Sequence, residues 1–264
     1  MERLSVIDPT RLAVTSLPGG KSIRIEAYSL TKAEAAKLVK QFGGEVRQLK
    51  TDAIIQKAAP RDPIRIRKSL LIVTSANERQ VAAKKYPGRK ILTVPAAMAF
   101  GTGEHATTAT CLRYLCDAAG KLSGAPWEML DLGTGSGILA MAARLLGASK
   151  AEAFDFDPHA VRTALWNVKA NGITAISVKK LDVLGWIPGR TWDLVTANLF
   201  SEVLIRSAGN VSMAVKPGGR LIFSGILRTQ ERETVEAFRR QRFRIDGITR
   251  KGKWVTVLAT KNKN

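Results

Sequence analysis

The stretch Trp127-Glu128-Met129-Leu130-Asp131-Leu132-Gly133-Thr134-Gly135-Ser136-Gly137-Ile138-Leu139-Ala140 decides the fold. An apolar run ends on an aspartate, three glycines alternate with small hydroxyl residues, and a second apolar run continues to Leu146. That pattern predicts a strand, a tight loop and a helix, with glycine wherever the backbone must approach a ligand with no Cβ in the way. A dinucleotide fingerprint would be Gly-x-Gly-x-x-Gly over a pyrophosphate. Here the third glycine arrives one residue early, and Ile138 stands where that fingerprint wants glycine.

Outward from the loop, strand and helix patterns alternate. Residues 151–156 read as a strand, 158–170 as a helix with Pro158 in its first turn, 176–181 and 193–197 as strands, and 202–214 as a helix. Pro217-Gly218-Gly219 predicts a turn into a strand over 220–224, followed by a basic helix near 230–240. The runs 243–248 and 254–259 flank Arg250-Lys251-Gly252-Lys253 as a closing hairpin. Such alternation predicts an α/β, Rossmann-like fold: a parallel sheet with helices on both faces and an antiparallel strand at or near its edge.

Upstream, residues 22–28 alternate as a strand, and Thr31 with Glu34 forms a capping box for a helix that ends at Gly43-Gly44. Short strands are expected at 46–49 and 53–56, and a stronger pair at 64–67 and 70–73. These make a small, basic α+β module over 1–75, too small to be very stable alone. Residues 76–97 read as a polar, basic connector and 98–264 as the domain built on the glycine loop. A helix is expected from Ala106. Cys111 and Cys116 lie on its apolar face and read as core residues, neither metal ligands nor a disulfide framework. No metal site is expected.

The chain carries a formal net charge of +20, unevenly spread. Residues 1–90 hold 19 Lys/Arg against 8 Asp/Glu, 91–200 hold 9 of each, and 201–264 hold 14 against 5. A neutral centre between basic flanks suits a polyanionic partner as well as it suits a solvated lysine-rich surface. No apolar run is long enough for a signal peptide or a membrane span, which predicts a cytoplasmic protein without membrane contact.

Several residues fall where open α/β sheets bind ligands, outside the carboxyl ends of the strands. Asp155 lies 22 residues past Gly133 and ends the second strand, placed to accept from ribose hydroxyls. Asp182 follows the third and either accepts from an adenine amine or is a solvent-facing turn residue. Asn198 ends the fourth, where its carbonyl can orient an incoming amine; a helix cap is its competing role. With Gly133, Gly135 and Gly137 these residues suit S-adenosylmethionine, which has a ribose and an adenine but no pyrophosphate.

Phe100-Gly101-Thr102-Gly103-Glu104-His105-Ala106-Thr107-Thr108, then Asp131 to Gly137, Asp155-Phe156-Asp157-Pro158, Ala197-Asn198-Leu199 and Ser224-Gly225-Ile226-Leu227 together resemble the PrmA family of bacterial methyltransferases. The resemblance covers about 64–264. It implies a seven-stranded methyltransferase sheet, S-adenosylmethionine as cofactor, and methylation of amino groups on large-subunit ribosomal protein eleven. It carries cofactor contacts onto Thr108, Gly133, Asp155 and Asn198, and it implies that residues 101–105 cover the cofactor. It also implies a larger N-terminal substrate-gripping domain than residues 1–75 supply, and Ala106 stands where the family frequently has proline.

The expected chemistry is in-line displacement at a sulfonium methyl by a neutral amine, with positioning supplying much of the barrier reduction. Asn198 and His105 are the candidate catalytic residues. Glu104 is a second candidate base, and a structural loop role for His105 is the competing reading. His159 is expected on the surface, and Trp166, Trp192 and Trp254 in packing. The expected partner is a ribosomal protein or ribosomal particle, met by a monomer, with RNA contact through the basic flanks. An RNA methyltransferase is the alternative, although Asn198-Leu199-Phe200-Ser201 lacks the prolines of many amino-directed nucleic-acid enzymes. A non-enzymatic binding module is the third, and the intact loop, Asp155 and Asn198 argue against it.

Overall fold

In a computed structural model, the structure describes residues 12–16, 23–27, 31–46, 61–95 and 103–263. The chain divides into two compact units, 1–58 and 59–264. In the first, β1 (Leu12–Ser16) pairs antiparallel with β2 (Ile23–Ala27), and α1 (Lys32–Phe42) follows. The capping box forms as expected: Thr31 Oγ1 accepts from the Glu34 N–H at 3.2 Å, and the Thr31 N–H donates to Glu34 Oε2 at 2.7 Å. β1 is absent from the sequence reading, because five residues are too few to establish a period. The expected turn at 17–20 lies outside the described residues. Of the strands expected at 46–49 and 53–56, Val46 is described and lies outside any strand, and the other residues lie outside the described ones.

The second unit is built on a seven-stranded sheet. Its strands are β6 (Glu128–Leu132), β7 (Lys150–Asp155), β8 (Ile176–Lys180), β9 (Trp192–Asn198), β10 (Val215–Leu227), β11 (Phe243–Lys251) and β12 (Trp254–Lys261), in the order β11-β12-β10-β9-β6-β7-β8. The five strands from β10 to β8 are parallel, and β12 returns antiparallel against β10 with β11 outside it. On one face pack α3 (Ala106–Leu122) and α4 (Ile138–Leu145), and α5 (Pro158–Ala170) lies over β7 and β8. On the other pack α6 (Ser201–Ala214) and α7 (Glu231–Arg240). The expected turn at Pro217-Gly218-Gly219 is a bulge inside β10, with the register to β9 slipping between Val215 and Arg220. Among the described residues no helix is long and apolar enough to cross a membrane.

Residues 76–97 depart from the expected connector. α2 (Ala76–Lys85) and β5 (Lys90–Thr93) form there, and β5 runs parallel to β4 (Leu70–Val73), which pairs antiparallel with β3 (Ile64–Ile66). This three-stranded sheet belongs to the 59–264 unit, so β3 and β4 do not join the first unit as the module 1–75 would require. The helix hid from the periodicity because it is polar nearly all round: only Glu78 and Ala82 are buried on it. It is fixed by its ends, with Ser75 Oγ accepting from the Glu78 N–H at 3.2 Å. β4 reads as an unbroken apolar run because both faces are covered. Leu70 and Ile72 meet α3 and α4, while Leu71 and Val73 meet Ala82 and Tyr86.

Asn171, the C-cap of α5, ties this sheet to the large one. Its Oδ1 accepts from the Thr93 N–H at 2.9 Å and its Nδ2 donates to Thr93 O at 2.8 Å. Arg79 Nη1 reaches both Ile91 O at 3.0 Å and Asn171 Oδ1 at 3.2 Å.

Candidate functional site

The chain order of the sheet reverses between β6 and β9, the point at which open α/β sheets hold their ligands, outside the carboxyl ends of the strands. β6 delivers the glycine loop. Gly133, Gly135 and Gly137 all hold positive φ, at +69°, +53° and +81°. The N–H groups of Gly133 and Thr134 donate to Phe154 O at 2.9 and 3.0 Å, which moors the loop to β7. A Cβ on Gly133 would stand 2.2 Å from Leu199 Cδ2, so the end of β9 packs directly on the loop.

Asp155 ends β7 with 8% of its surface exposed. Its Oδ2 accepts from the Gly135 N–H at 2.9 Å and its Oδ1 from the Asp157 N–H at 3.1 Å. The carboxylate thus fixes the loop, and each oxygen retains acceptor capacity for a further donor. Phe156, next in the chain, is 70% exposed and offers an apolar surface beside it.

Asp131 is wholly buried beneath the loop. The hydroxyls of Thr134 and Thr196 donate to its two oxygens at 2.6 and 2.5 Å. Burial pushes its carboxyl up from 3.8 to about 6; the hydroxyls oppose that shift and the Asp155 charge adds to it.

The first turn of α3 faces the end of β9. His105 is the N-cap of α3, and its Nδ1 lies 2.8 Å from Thr107 Oγ1. The same Thr107 oxygen accepts from Asn198 Nδ2 at 3.3 Å. Trp254 meets the His105 ring edge-on, with centroids 5.1 Å apart, and Lys253 lies over the Trp254 ring. Two polar atoms here, Asn198 Oδ1 and Thr108 Oγ1, are buried without a hydrogen-bond partner among the described residues. Few native polar atoms are left so, and a missing ligand is one standard reason. Gly225 on β10 closes the far side: at φ +87° its Cβ would come within 2.2 Å of Leu199 O.

The structure therefore brings together the glycine loop, Asp155, Asn198, His105 and Thr108. Asp182 lies one residue past Leu181, whose N–H donates to Asp155 O at 2.9 Å; it is exposed, and its Oδ1 accepts from the Leu184 N–H at 3.0 Å, a turn within the chain. Glu104 is exposed, and residues 101 and 102 lie outside the described residues. His159 is exposed on α5, and Cys111 is buried in the core, where burial raises its thiol to about 12. Trp192 is buried beside Trp186, whereas Trp166 is 49% exposed. Sequence reasoning passed over Thr107, Asp131, Thr134 and Thr196. The Asp131-x-x-Thr134 spacing was a readable signal; Thr196 was not, because it meets Asp131 only through the parallel register of β9 with β6.

The sequence profile of the family described as Ribosomal protein L11 methyltransferase (PrmA) matches residues 13–262. A ribosomal protein L11 methyltransferase of Geobacter sulfurreducens is 43% identical over 168 residues, 64% of this chain and 54% of that protein. One of Bacillus cereus is 37% identical over 199 residues, 75% of this chain and 61% of that protein. The chain thus spans little more than half the length of these relatives. Among solved structures, a ribosomal protein L11 methylase of Lactobacillus delbrueckii subsp. bulgaricus superposes with a TM-score of 0.63 at 27% identity, covering 76% of this chain and all of that one.

Proposed function

The chain belongs to the PrmA family of ribosomal protein L11 methyltransferases, and from that premise we propose that it transfers methyl groups from S-adenosylmethionine to amino groups of a ribosomal protein, L11 of the large subunit. The observation that carries this reading is the pair of buried, unpartnered atoms Asn198 Oδ1 and Thr108 Oγ1 at the crevice where the glycine loop ends. A cofactor with hydrogen-bonding groups beside an incoming amine gives both atoms a partner.

The bound cofactor supplies an electrophilic sulfonium methyl; the protein supplies placement. Gly133, Gly135 and Gly137 allow close backbone approach, Asp155 takes the ribose hydroxyls, Asp182 the adenine amine, and Thr108 a cofactor polar group. Asn198 Oδ1 accepts an N–H of the substrate amine and so aims its lone pair. Thr107 holds the Asn198 amide and keeps Oδ1 facing the crevice. Thr107 Oγ1 has two lone pairs, so it can accept from Asn198 Nδ2 and from His105 Nδ1 together. The His105 ring then carries its basic lone pair on Nε2, the nitrogen that would take the amine proton.

Substrate recognition falls to the N-terminal unit 1–58, ahead of the unit 59–264 that carries the glycine loop, and the basic flanks serve contact with ribosomal RNA. The protein acts as a cytoplasmic monomer. Counting labelled methyl groups on free L11, on ribosomal subunits and on naked RNA tests this function. Incorporation into L11 is expected. Label in the RNA alone would make the protein an RNA methyltransferase, and no label in any substrate would end the reading.

A further inference from the structure

Methyl transfer makes no use of the face of the small sheet that turns away from α3. Between residues 61 and 93 the sequence has nine Lys/Arg and two Asp/Glu. Arg65 stands opposite Leu71 in the β3–β4 register and so shares the face occupied by Leu71, Val73 and Tyr86. Three cations gather round the Tyr86 ring: the Arg65 and Arg89 guanidinium carbons lie 5.2 and 5.4 Å from its centroid, and the Lys85 ammonium 5.6 Å. Among the described residues only Lys85 of the three has a carboxylate partner, Asp62 at 3.2 Å. Like charges held this close repel, and the ring face offsets only part of that repulsion. Two buried atoms of the cluster, Tyr86 Oη and Arg89 Nη1, have no hydrogen-bond partner among the described residues. An anionic ligand held by the exposed Arg65 and Lys85 beside Arg89 would relieve the repulsion.

We propose that this face, centred on Tyr86 with Arg65, Lys85 and Arg89, binds the phosphate backbone of RNA. The guanidinium forks match phosphate oxygens, and closely spaced cations match a polymer that repeats its charge every few ångströms. A lipid surface fits less well: α2 exposes a single large apolar residue, Val81, and has no apolar stripe to insert. The choice of RNA rests on the ribosomal substrate proposed above, since a protein of the ribosome is met beside ribosomal RNA.

The test is anisotropy of a labelled double-stranded RNA hairpin titrated with the full chain at several salt concentrations, without cofactor. The triple variant Arg65→Gln, Lys85→Gln, Arg89→Gln should lower the slope of log affinity against log salt by about 2 to 3 and weaken binding about tenfold or more at about 100 mM salt. Should the triple variant fail to fold, Arg65→Gln with Lys85→Gln, both exposed, must weaken binding in the same direction. A control triple at α7, across the large sheet from α3, Arg228→Gln, Arg232→Gln, Arg239→Gln, removes equal charge and should leave most of the affinity. The proposal is overturned if the control weakens binding as much, if the Arg65, Lys85 and Arg89 variants bind as the parent does, or if phosphatidylserine vesicles bind and RNA does not. Methyl transfer to free L11 is counted separately in RNA-free buffer. Its failure strikes the methyl-transfer reading, while the binding curves decide this one.

Discussion

Replacing Asp131 by asparagine should raise stability at neutral pH and remove part of the protein's pH dependence. The carboxyl is wholly buried, and burial lifts it to about 6 from 3.8. A folded value above the unfolded one means that the folded state holds the proton more tightly. The contribution of this group to stability is therefore intact below about pH 4 and lost as pH rises through about 6. A shift of about 2 units amounts to about 3 kcal/mol once Asp131 is fully ionised, of which about 1.5 kcal/mol is lost between pH 5 and pH 8. Asparagine has no ionised form, yet it can accept from one threonine hydroxyl and donate to the other, so the buried hydrogen bonds to Thr134 and Thr196 survive. All five tryptophans lie in the 59–264 unit, so tryptophan fluorescence in urea follows the unit that contains Asp131. The stability of the variant relative to the parent should rise by about 1.5 kcal/mol from pH 5 to pH 8. A difference that does not change with pH would refute the reasoning, as would a variant about 3 kcal/mol less stable at pH 8.

Asn198→Ala should lower kcat for methyl transfer about a hundredfold or more while costing no more than about 1 kcal/mol in urea unfolding, because Asn198 Oδ1 has no hydrogen-bond partner among the described residues and only the long bond from Nδ2 to Thr107 is lost. Equal activity would remove Asn198 from the mechanism. Asn171→Ala strips the Thr93 N–H and C=O of their partner and should cost about 2 to 4 kcal/mol in urea unfolding, against under 1 kcal/mol for an exposed substitution. Cys111, buried with its thiol raised to about 12, should react with a disulfide reagent only as fast as the protein unfolds; labelling at the rate of an exposed thiol would contradict its burial.

The large sheet was legible because each of its elements declares itself locally. Gly133 to Gly137, Pro158 and the alternating runs mark boundaries that need no partner to be seen, and the observed strands begin and end within a few residues of them. The small sheet was half legible. Its apolar strand Leu70–Val73 stood out, but α2 draws its stability from a cap and from Arg79 rather than from an apolar stripe, and no periodicity reports such contacts. The site divides in the same way. Asp155 and Asn198 could be found because strand ends are marked in the sequence. Thr107 and Thr196 act through partners 91 and 65 residues away, and only the packing of α3 on β9 and the register of β9 with β6 bring those together.

The Asn171 clasp also has a meaning for self-association. Among the described residues β5 is an edge strand, and an open strand edge is the route by which one sheet recruits another chain. The Asn171 carboxamide behaves here as a one-residue fourth strand: it occupies the outward N–H and C=O of Thr93, while Arg79 takes the outward carbonyl of Ile91. At the opposite edge β3 is only three residues long and runs into Arg67 and Lys68. The sheet is thus closed at one border by hydrogen bonds from side chains and guarded at the other by brevity and charge, which keeps a three-stranded sheet from growing a fourth strand out of a neighbouring molecule.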